Sequence, residues 1–431
     1  MQYYSLNKKS PSVSFREAVV SGQAPDRGLY FPQSIPALSK NIKENLSKLS
    51  KEEISFEVMK PFVGNDLPDN ELQKIVAETV NFPFPLIKIN ENISSLELFH
   101  GPTYAFKDVG ARFMSRCLGY FNQNNQKKTT ILVATSGDTG GAVANGFLGV
   151  EGVEVIILYP SGKVSPVQEL QLTTCGQNIT ALEVQGTFDD CQAIVKQAFT
   201  DIDLNAKYQL TSANSINVGR WLPQQLYYFF ALQQWKENDA PVICVPSGNF
   251  GNICAGVLAY ISGLPVKHFI AACNANDTVP EFLATEKYPE KKSVATISNA
   301  MDVANPSNFI RVMELFHQQL PELKKSFSSV SVTDNTTRKT ITKVFDETGY
   351  MLDPHGAVAY NALDNYLKEN KVGKGFILET AHPVKFPDVV EDLLQLKIPL
   401  PEEAKHLFEK EKQSVVIEAS FEKIKQWMIA R

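Results

Sequence analysis

The chain has 431 residues, 43% of them hydrophobic, and 42 lysines and arginines against 47 aspartates and glutamates give a formal net charge of −5. That length holds two or three domains and a large core; the slight acidic balance gives no reason to expect nucleic acid or an anionic membrane as a partner, and no run is long and apolar enough to span a bilayer. An anionic small molecule would therefore have to be met by a local cluster of cations and amides.

The first ninety residues are mixed. Apolar spacing predicts helices over 46–63 and 70–80, and Pro83 and Pro85 mark a break. From about residue 92 strands and helices alternate. Short apolar runs predict strands over 131–134, 153–159, 179–184, 209–211, 242–245 and 376–379. Helices are expected over 141–150, 165–174, 188–200, 216–235 and 336–347. Residues 277–327 read as irregular and helical, and the tail 402–431 as a charged, solvated helix. The alternation predicts an α/β protein with mostly parallel sheets covered on both faces. The expected division is 1–90 as an N-terminal module, 91–390 as the core with a smaller subdomain over about 100–215, and 391–431 as the helical tail.

Cys117, Cys175, Cys191, Cys244, Cys254 and Cys273 form no CxxC pair and no metal-ligand spacing, and the six histidines show no HExxH pattern. They read as reduced, core-filling thiols with no metal site. Cytoplasm is the expected location, since the first residues lack the features of a signal or transit peptide.

The chemistry-bearing segments lie where strands end. His100-Gly-Pro-Thr-Tyr-Ala-Phe-Lys107-Asp108 carries an amine on a turn beside aromatics. Desolvation there lowers proton affinity and leaves a nucleophile suited to a Schiff base with an aldehyde cofactor. The bland alternative is a surface lysine paired with Asp108. Ser247-Gly-Asn-Phe-Gly-Asn252 joins a strand to a helix, where glycines let amides converge on a phosphate, or simply make a tight turn. Neither a GxGxxG fingerprint nor a P-loop is present. Thr135-Ser-Gly-Asp-Thr-Gly140 is a second such loop, with hydroxyls and amides for a carboxylate, or for an N-cap. In open α/β sheets both loops face one crevice, outside the carboxyl ends of the strands. Ser161-Gly-Lys163-Val-Ser165 and Ser212-Ala-Asn-Ser-Ile-Asn217-Val-Gly-Arg220 bring cations toward it, and Arg112 is a further candidate.

Taken together with Arg27-Gly-Leu-Tyr-Phe-Pro32 and Thr380-Ala-His-Pro383, these segments resemble, in order and over nearly the whole chain, the threonine synthases. These are pyridoxal-phosphate enzymes of fold type II in the tryptophan synthase β family, and the likeness is to the bacterial and fungal form with an N-terminal module. The resemblance implies two open, mostly parallel α/β subdomains with the active site between them. It implies that Lys107 binds pyridoxal 5′-phosphate covalently and that Ser247, Gly248, Asn249, Phe250, Gly251 and Asn252 cradle its phosphate. Thr380 would face the pyridine nitrogen, and Asp138 stands where relatives of this fold carry an asparagine toward the phenolic oxygen. The implied substrate is O-phospho-L-homoserine, converted with water to L-threonine and phosphate. Its phosphate falls to Lys163, Arg220, Arg112 and Asn217, and its carboxylate to Ser136, Gly137 and Thr139. The alternatives are a phospho-lyase, a serine or threonine dehydratase, or a non-catalytic amino-acid sensor. The phosphate-binding cations speak against the dehydratase, and the retained Lys107 against the sensor.

Overall fold

The computed structural model describes residues 1–123, 127–371 and 373–431. Its smallest sheet is antiparallel and N-terminal: β1 (Gln2–Ser5) lies between β2 (Val13–Ser14) and β3 (Tyr30–Pro32). Tyr3 of β1 donates its hydroxyl to the Phe62 carbonyl in the helix Lys51–Val63, and the helix Asp69–Thr79 packs on that helix. The first starts at Ser50, whose hydroxyl accepts from the amide of Glu53 while the Glu53 carboxylate accepts from the amide of Ser50. This reciprocal cap satisfies two amides that a helix start leaves open.

The remaining strands are β4 (Leu86–Lys88), β5 (Ile93–Glu97), β6 (Thr129–Ala134), β7 (Val153–Pro160), β8 (Ile179–Gln185), β9 (Gln209–Thr211), β10 (Val242–Pro246), β11 (His268–Cys273), β12 (Phe327–Ser331), β13 (Gly375–Glu379) and β14 (Val415–Glu418). They form two sheets, in the orders β12-β11-β10-β13-β5-β4 and β14-β8-β7-β6-β9. Every pairing is parallel except that of β4 with β5. All residues of β6, β10, β11 and β13 are buried, as expected of central strands with helices on both faces. The α/β fold with mostly parallel sheets is as the sequence indicates.

Four details differ from the sequence reading. The helix expected over 216–235 is three pieces, Val218–Trp221, a 3₁₀ turn Leu222–Gln225, and Leu226–Gln234; Pro223, without an amide hydrogen, sits at the break. Strands β5, β11, β12 and β14 are not among those expected, although β11 and β14 carry the apolar runs Phe269–Cys273 and Val415–Ile417. The large sheet begins at β4, a few residues before residue 91. The tail is not wholly helical, because β14 completes the small sheet by pairing with β8.

Candidate active site

The loops singled out from the sequence follow the carboxyl ends of β5, β6, β7, β9, β10 and β13, on one side of the two sheets. Lys107 opens the helix Lys107–Asn122. The turn before it lies antiparallel to the segment after β13. Ala105 bridges Ala381, the Phe106 amide donates to the Thr380 carbonyl at 2.9 Å, and the His382 amide donates to the Tyr104 carbonyl at 3.0 Å. Two motifs almost 280 residues apart in sequence are thus one local structure.

The Lys107 side chain is 19% exposed, with Nζ 3.6 Å from Asp138 Oδ2 and 5.0 Å from the centroid of the Phe106 ring. Burial pushes its pKa below the ordinary lysine value; Asp138 opposes this, and the charges of Lys385 and Arg220 add to it. Asp108 is not its partner. That carboxylate is turned inward, accepting from the Thr103 amide at 2.9 Å and the Thr103 hydroxyl at 2.5 Å.

Asp138 begins the helix Asp138–Phe147. Its Oδ1 accepts from Lys385 Nζ at 2.7 Å and Gln168 Nε2 at 2.9 Å. Burial alone would raise its pKa, but the neighbouring lysines and these two bonds outweigh it and hold the carboxyl well below its usual range. Lys385 and Gln168 were missed in the sequence. The signal for Lys385 was its place two residues beyond His382-Pro383. For Gln168 it was the Ser165-x-x-Gln168 capping box, present as such.

Five consecutive amides, of Gly248, Asn249, Phe250, Gly251 and Asn252, have no acceptor among the described residues. They lie at the start of the buried helix Gly251–Ile261, with Phe250 held in the left-handed region at φ 60°. The loop is pinned around them. Asn249 donates to Ser215 Oγ at 2.8 Å, and its Oδ1 accepts from the Ser307 amide at 2.6 Å. Asn252 Nδ2 donates to the Pro246 carbonyl at 2.9 Å, and Ser247 Oγ donates to that of Val245 at 2.8 Å. Since buried amides are nearly always paired, a run of five open ones at a helix start fits a phosphate dianion. The Thr380 hydroxyl makes no hydrogen bond among the described residues, although the residue is only 6% exposed. A desolvated amine, an amide cradle and an open hydroxyl are the donor set that pyridoxal phosphate requires, and these residues fit it.

The other expected site residues divide. Amides of Ser136, Asp138 and Thr139 are open among the described residues, as are the hydroxyls of Ser136 and Thr139. The Gly137 amide is not open, because it donates to Thr135 Oγ1 at 3.0 Å. Arg220 is 3% exposed; its Nη1 donates to the Ala213 carbonyl, while Nε is buried without a partner among the described residues. Burial lowers its pKa to about 10. Lys163 is exposed and makes no ion pair among the described residues.

Two residues have other work. Asn217 is fully buried and its amide is spent: Nδ2 donates to the carbonyls of Val19 and Ser212, and Oδ1 caps the next helix through Gly219 at 2.9 Å. Both ends of its side-chain amide are committed to these partners. Arg112 donates through Nε and Nη2 to the Glu78 carbonyl and through Nη2 to Asn81, and lies over Phe82. These bonds tie it to the segment 78–82 that precedes the core.

Comparison with known proteins agrees with this geometry. A model of the pyridoxal-phosphate dependent enzymes matches residues 86–379, and models of the threonine synthase N terminus and C-terminal region match 2–80 and 356–428. The chain is 45% identical to threonine synthase of Buchnera aphidicola from Acyrthosiphon pisum, over all of both chains. It is also 45% identical to that of Escherichia coli K12, over 94% of this chain and 93% of the other. The crystal structure of threonine synthase from Escherichia coli superposes with a TM-score of 0.93 at 43% identity, over all of both chains. A PLP-bound threonine synthase from Brucella melitensis gives 0.92 at 34%, over 99% of this chain and 98% of that one. With a desolvated lysine, an open amide cradle and relatives matched end to end, the chain belongs to the threonine synthase family of pyridoxal-phosphate-dependent enzymes.

Proposed function

We propose that the Lys107 cluster converts O-phospho-L-homoserine and water to L-threonine and phosphate, with the residues in the following roles. When bound, pyridoxal phosphate supplies the electron withdrawal that makes carbon–hydrogen bonds of an amino acid acidic. Lys107 is the amine that holds it, with the amides of residues 248–252 on its phosphate and the Thr380 hydroxyl at its ring nitrogen. Ser136 and Thr139, with the open amides of their loop, take the substrate carboxylate. Arg220 takes the substrate phosphate from the buried side and Lys163 from the mouth.

Lys107 Nζ, released when the substrate arrives, removes the proton from Cα, hands it on, and then takes one from Cβ. Phosphate leaves Cγ with the first of these protons, as the dianion HPO4²⁻ that Arg220 and Lys163 are charged to receive. The second proton is delivered to Cγ, water adds its hydroxyl to Cβ, and Lys107 carries the remaining proton of that water to Cα. A lysine suits this work because burial brings its free-base form within reach of neutral pH.

The observation that carries this reading is that, besides the open hydroxyls of Ser136 and Thr139 with the open amides of their loop, a buried guanidinium with an open Nε, that of Arg220, acts on the same desolvated amine. A dehydratase substrate needs only the hydroxyls and amides of that loop, and full-length relatives are threonine synthases. The test is to mix purified protein with pyridoxal phosphate and phosphohomoserine and measure threonine and phosphate together. Equal amounts support the reading, whereas phosphate released with a keto acid identifies a lyase.

Residues 1–90 serve this reaction as a packed support, 91–390 as the catalytic core, and the tail as part of the small sheet. No helix among the described residues is long and apolar enough to cross a membrane. The six cysteines are all free and five are buried, which supports a reducing compartment and hence the cytoplasm.

A further inference from the structure

We propose that Lys385 is a positioning residue for Lys107: its buried ammonium takes the stronger half of the Asp138 carboxylate and thereby sets how tightly that carboxylate holds the proton on Lys107. The inference rests on the role given to Lys107 above.

The geometry is unequal. Lys385 is 0% exposed, with Nζ 2.7 Å from Asp138 Oδ1 and 2.8 Å from the Thr103 carbonyl. Lys107 Nζ reaches only the other oxygen, at 3.6 Å, beyond a hydrogen bond. Gln168 donates to Oδ1 as well, so the carboxylate is anchored on the side away from Lys107. One carboxylate therefore serves two ammonium groups, and the guanidinium of Arg220 adds a third cation that acts on Lys107. Lys107 thus faces two further cations, Lys385 and Arg220, against the Asp138 carboxylate, with the Asp108 carboxylate acting on those two cations, and loss of the Lys107 proton relieves the remaining cationic excess.

Every element packed on Lys107 contributes to this balance. Asp138 comes from the helix Asp138–Phe147, Arg220 from Val218–Trp221 and Lys385 from the turn Pro383–Lys385. Tyr227, from Leu226–Gln234, donates its hydroxyl to the Phe106 carbonyl. Asp108, on the same helix as Lys107, is held by Thr103. That Thr103 also gives its carbonyl to Lys385. The turn before Lys107 and the buried ammonium are thus fixed to each other independently of Asp138.

Replacing the lysine with an apolar side chain of similar length frees Asp138 to pair with Lys107 alone. The test uses the full-length holoenzyme and reads the proton on the Lys107 nitrogen from the pH titration of the visible absorption band, with no substrate present. Lys385→Met should move the titration upward by about one to two pH units, and Lys385→Arg should restore most of it. Asp138→Asn should move it downward, and in the double variant the Lys385 effect should largely vanish, because it acts through Asp138.

If Lys385→Met does not retain cofactor, the Asp138→Asn titration decides alone, and an upward or absent shift there overturns the proposal. A band that titrates as in the wild type in Lys385→Met also overturns it. Borohydride reduction separates this from failure of the underlying reading. If pyridoxyl mass appears on a lysine other than Lys107, the assignment of Lys107 is wrong. If it appears on Lys107 with no shift in either variant, only the role of Lys385 is.

Discussion

Gly248 lies so close to Met301 that a β-carbon on the glycine would sit 2.7 Å from the methionine Cα and 3.0 Å from the carbonyl oxygen of Ala300. Both contacts are to backbone, which cannot swing aside. Gly248→Val should therefore displace the amide run and give protein that loses its cofactor on dialysis and recovers colour only in excess pyridoxal phosphate. At Gly251 an added carbon meets the Ser215 side chain at 3.2 Å, a contact that can partly yield. Gly251→Ala should weaken retention less than Gly248→Ala does. Neither glycine is in the left-handed region, so the effect is steric; absorbance per mole of protein after dialysis measures it.

Lys107→Ala should abolish threonine formation, by at least about three decades in kcat, because proton transfer by a positioned group alone is worth about 10²–10⁴ and the covalent anchor is lost as well. Borohydride reduction of the wild type followed by peptide mass analysis should place the added pyridoxyl mass on Lys107. Substantial turnover in the variant would sink the assignment.

Arg220→Ala and Lys163→Ala should each raise KM for phosphohomoserine while the protein retains its bound cofactor. A lost charge-assisted bond costs about 1.5–3 kcal/mol, or roughly one to two decades in kcat/KM. The buried Arg220 should sit at the upper end, and the exposed Lys163 at the lower end with an effect that fades in high salt. Inorganic phosphate should compete with substrate in the wild type and less well in both variants. Wild-type KM and phosphate inhibition in both would move the pocket elsewhere.

Stability should fall below neutral pH, partly through His268. Burial lowers its pKa to about 4, against an ordinary value near 6.5, while its ring bonds Ser328 Oγ and stacks on Tyr366. Between those values the unfolded chain binds a proton that the folded chain refuses. This contribution is therefore complete above about pH 6.5 and is lost as pH falls toward about 4, at up to about 1.4 kcal/mol per pH unit. Thermal midpoints at pH 7.5, 6 and 5 should show the decline, and His268→Asn should flatten it. An unchanged slope in that variant would exclude His268 as a source.

The central strands and the chemistry were legible in the sequence because they are local signals. A short apolar run such as 242–246 and the glycines that follow it stand side by side. Lys107 could be picked from its turn, and the resemblance supplied its role. What could not be read was which donors were already in use. Asn217, Gly137 and Arg112 are the right residue types in the right segments, yet each is committed to a partner distant in sequence or to a cap. Lys385 failed to register for the opposite reason, since a lysine in a short turn reads as solvated until the packing shows it fully enclosed. Strand β14 went unread although Val415-Val416-Ile417 is apolar and β-branched, because that short run sits in a charged tail that reads as one helix, and three of the strand's four residues are exposed at a sheet edge.

That edge strand has a bearing on how the chain assembles. Every strand of the large sheet has been synthesised once residue 379 is made, but the small sheet waits for residues 415–418 to reach β8, more than two hundred residues upstream. During synthesis the larger unit can therefore close first, while β8 presents an unpaired edge to its surroundings. Lys425, bonded to Asp201 and Asp203 at 2.7 Å each, then fastens the returning segment. A chain cut before residue 415 would keep every residue assigned to the chemistry and still carry an open, sticky border, so its failure would show as aggregation rather than as a weakened reaction.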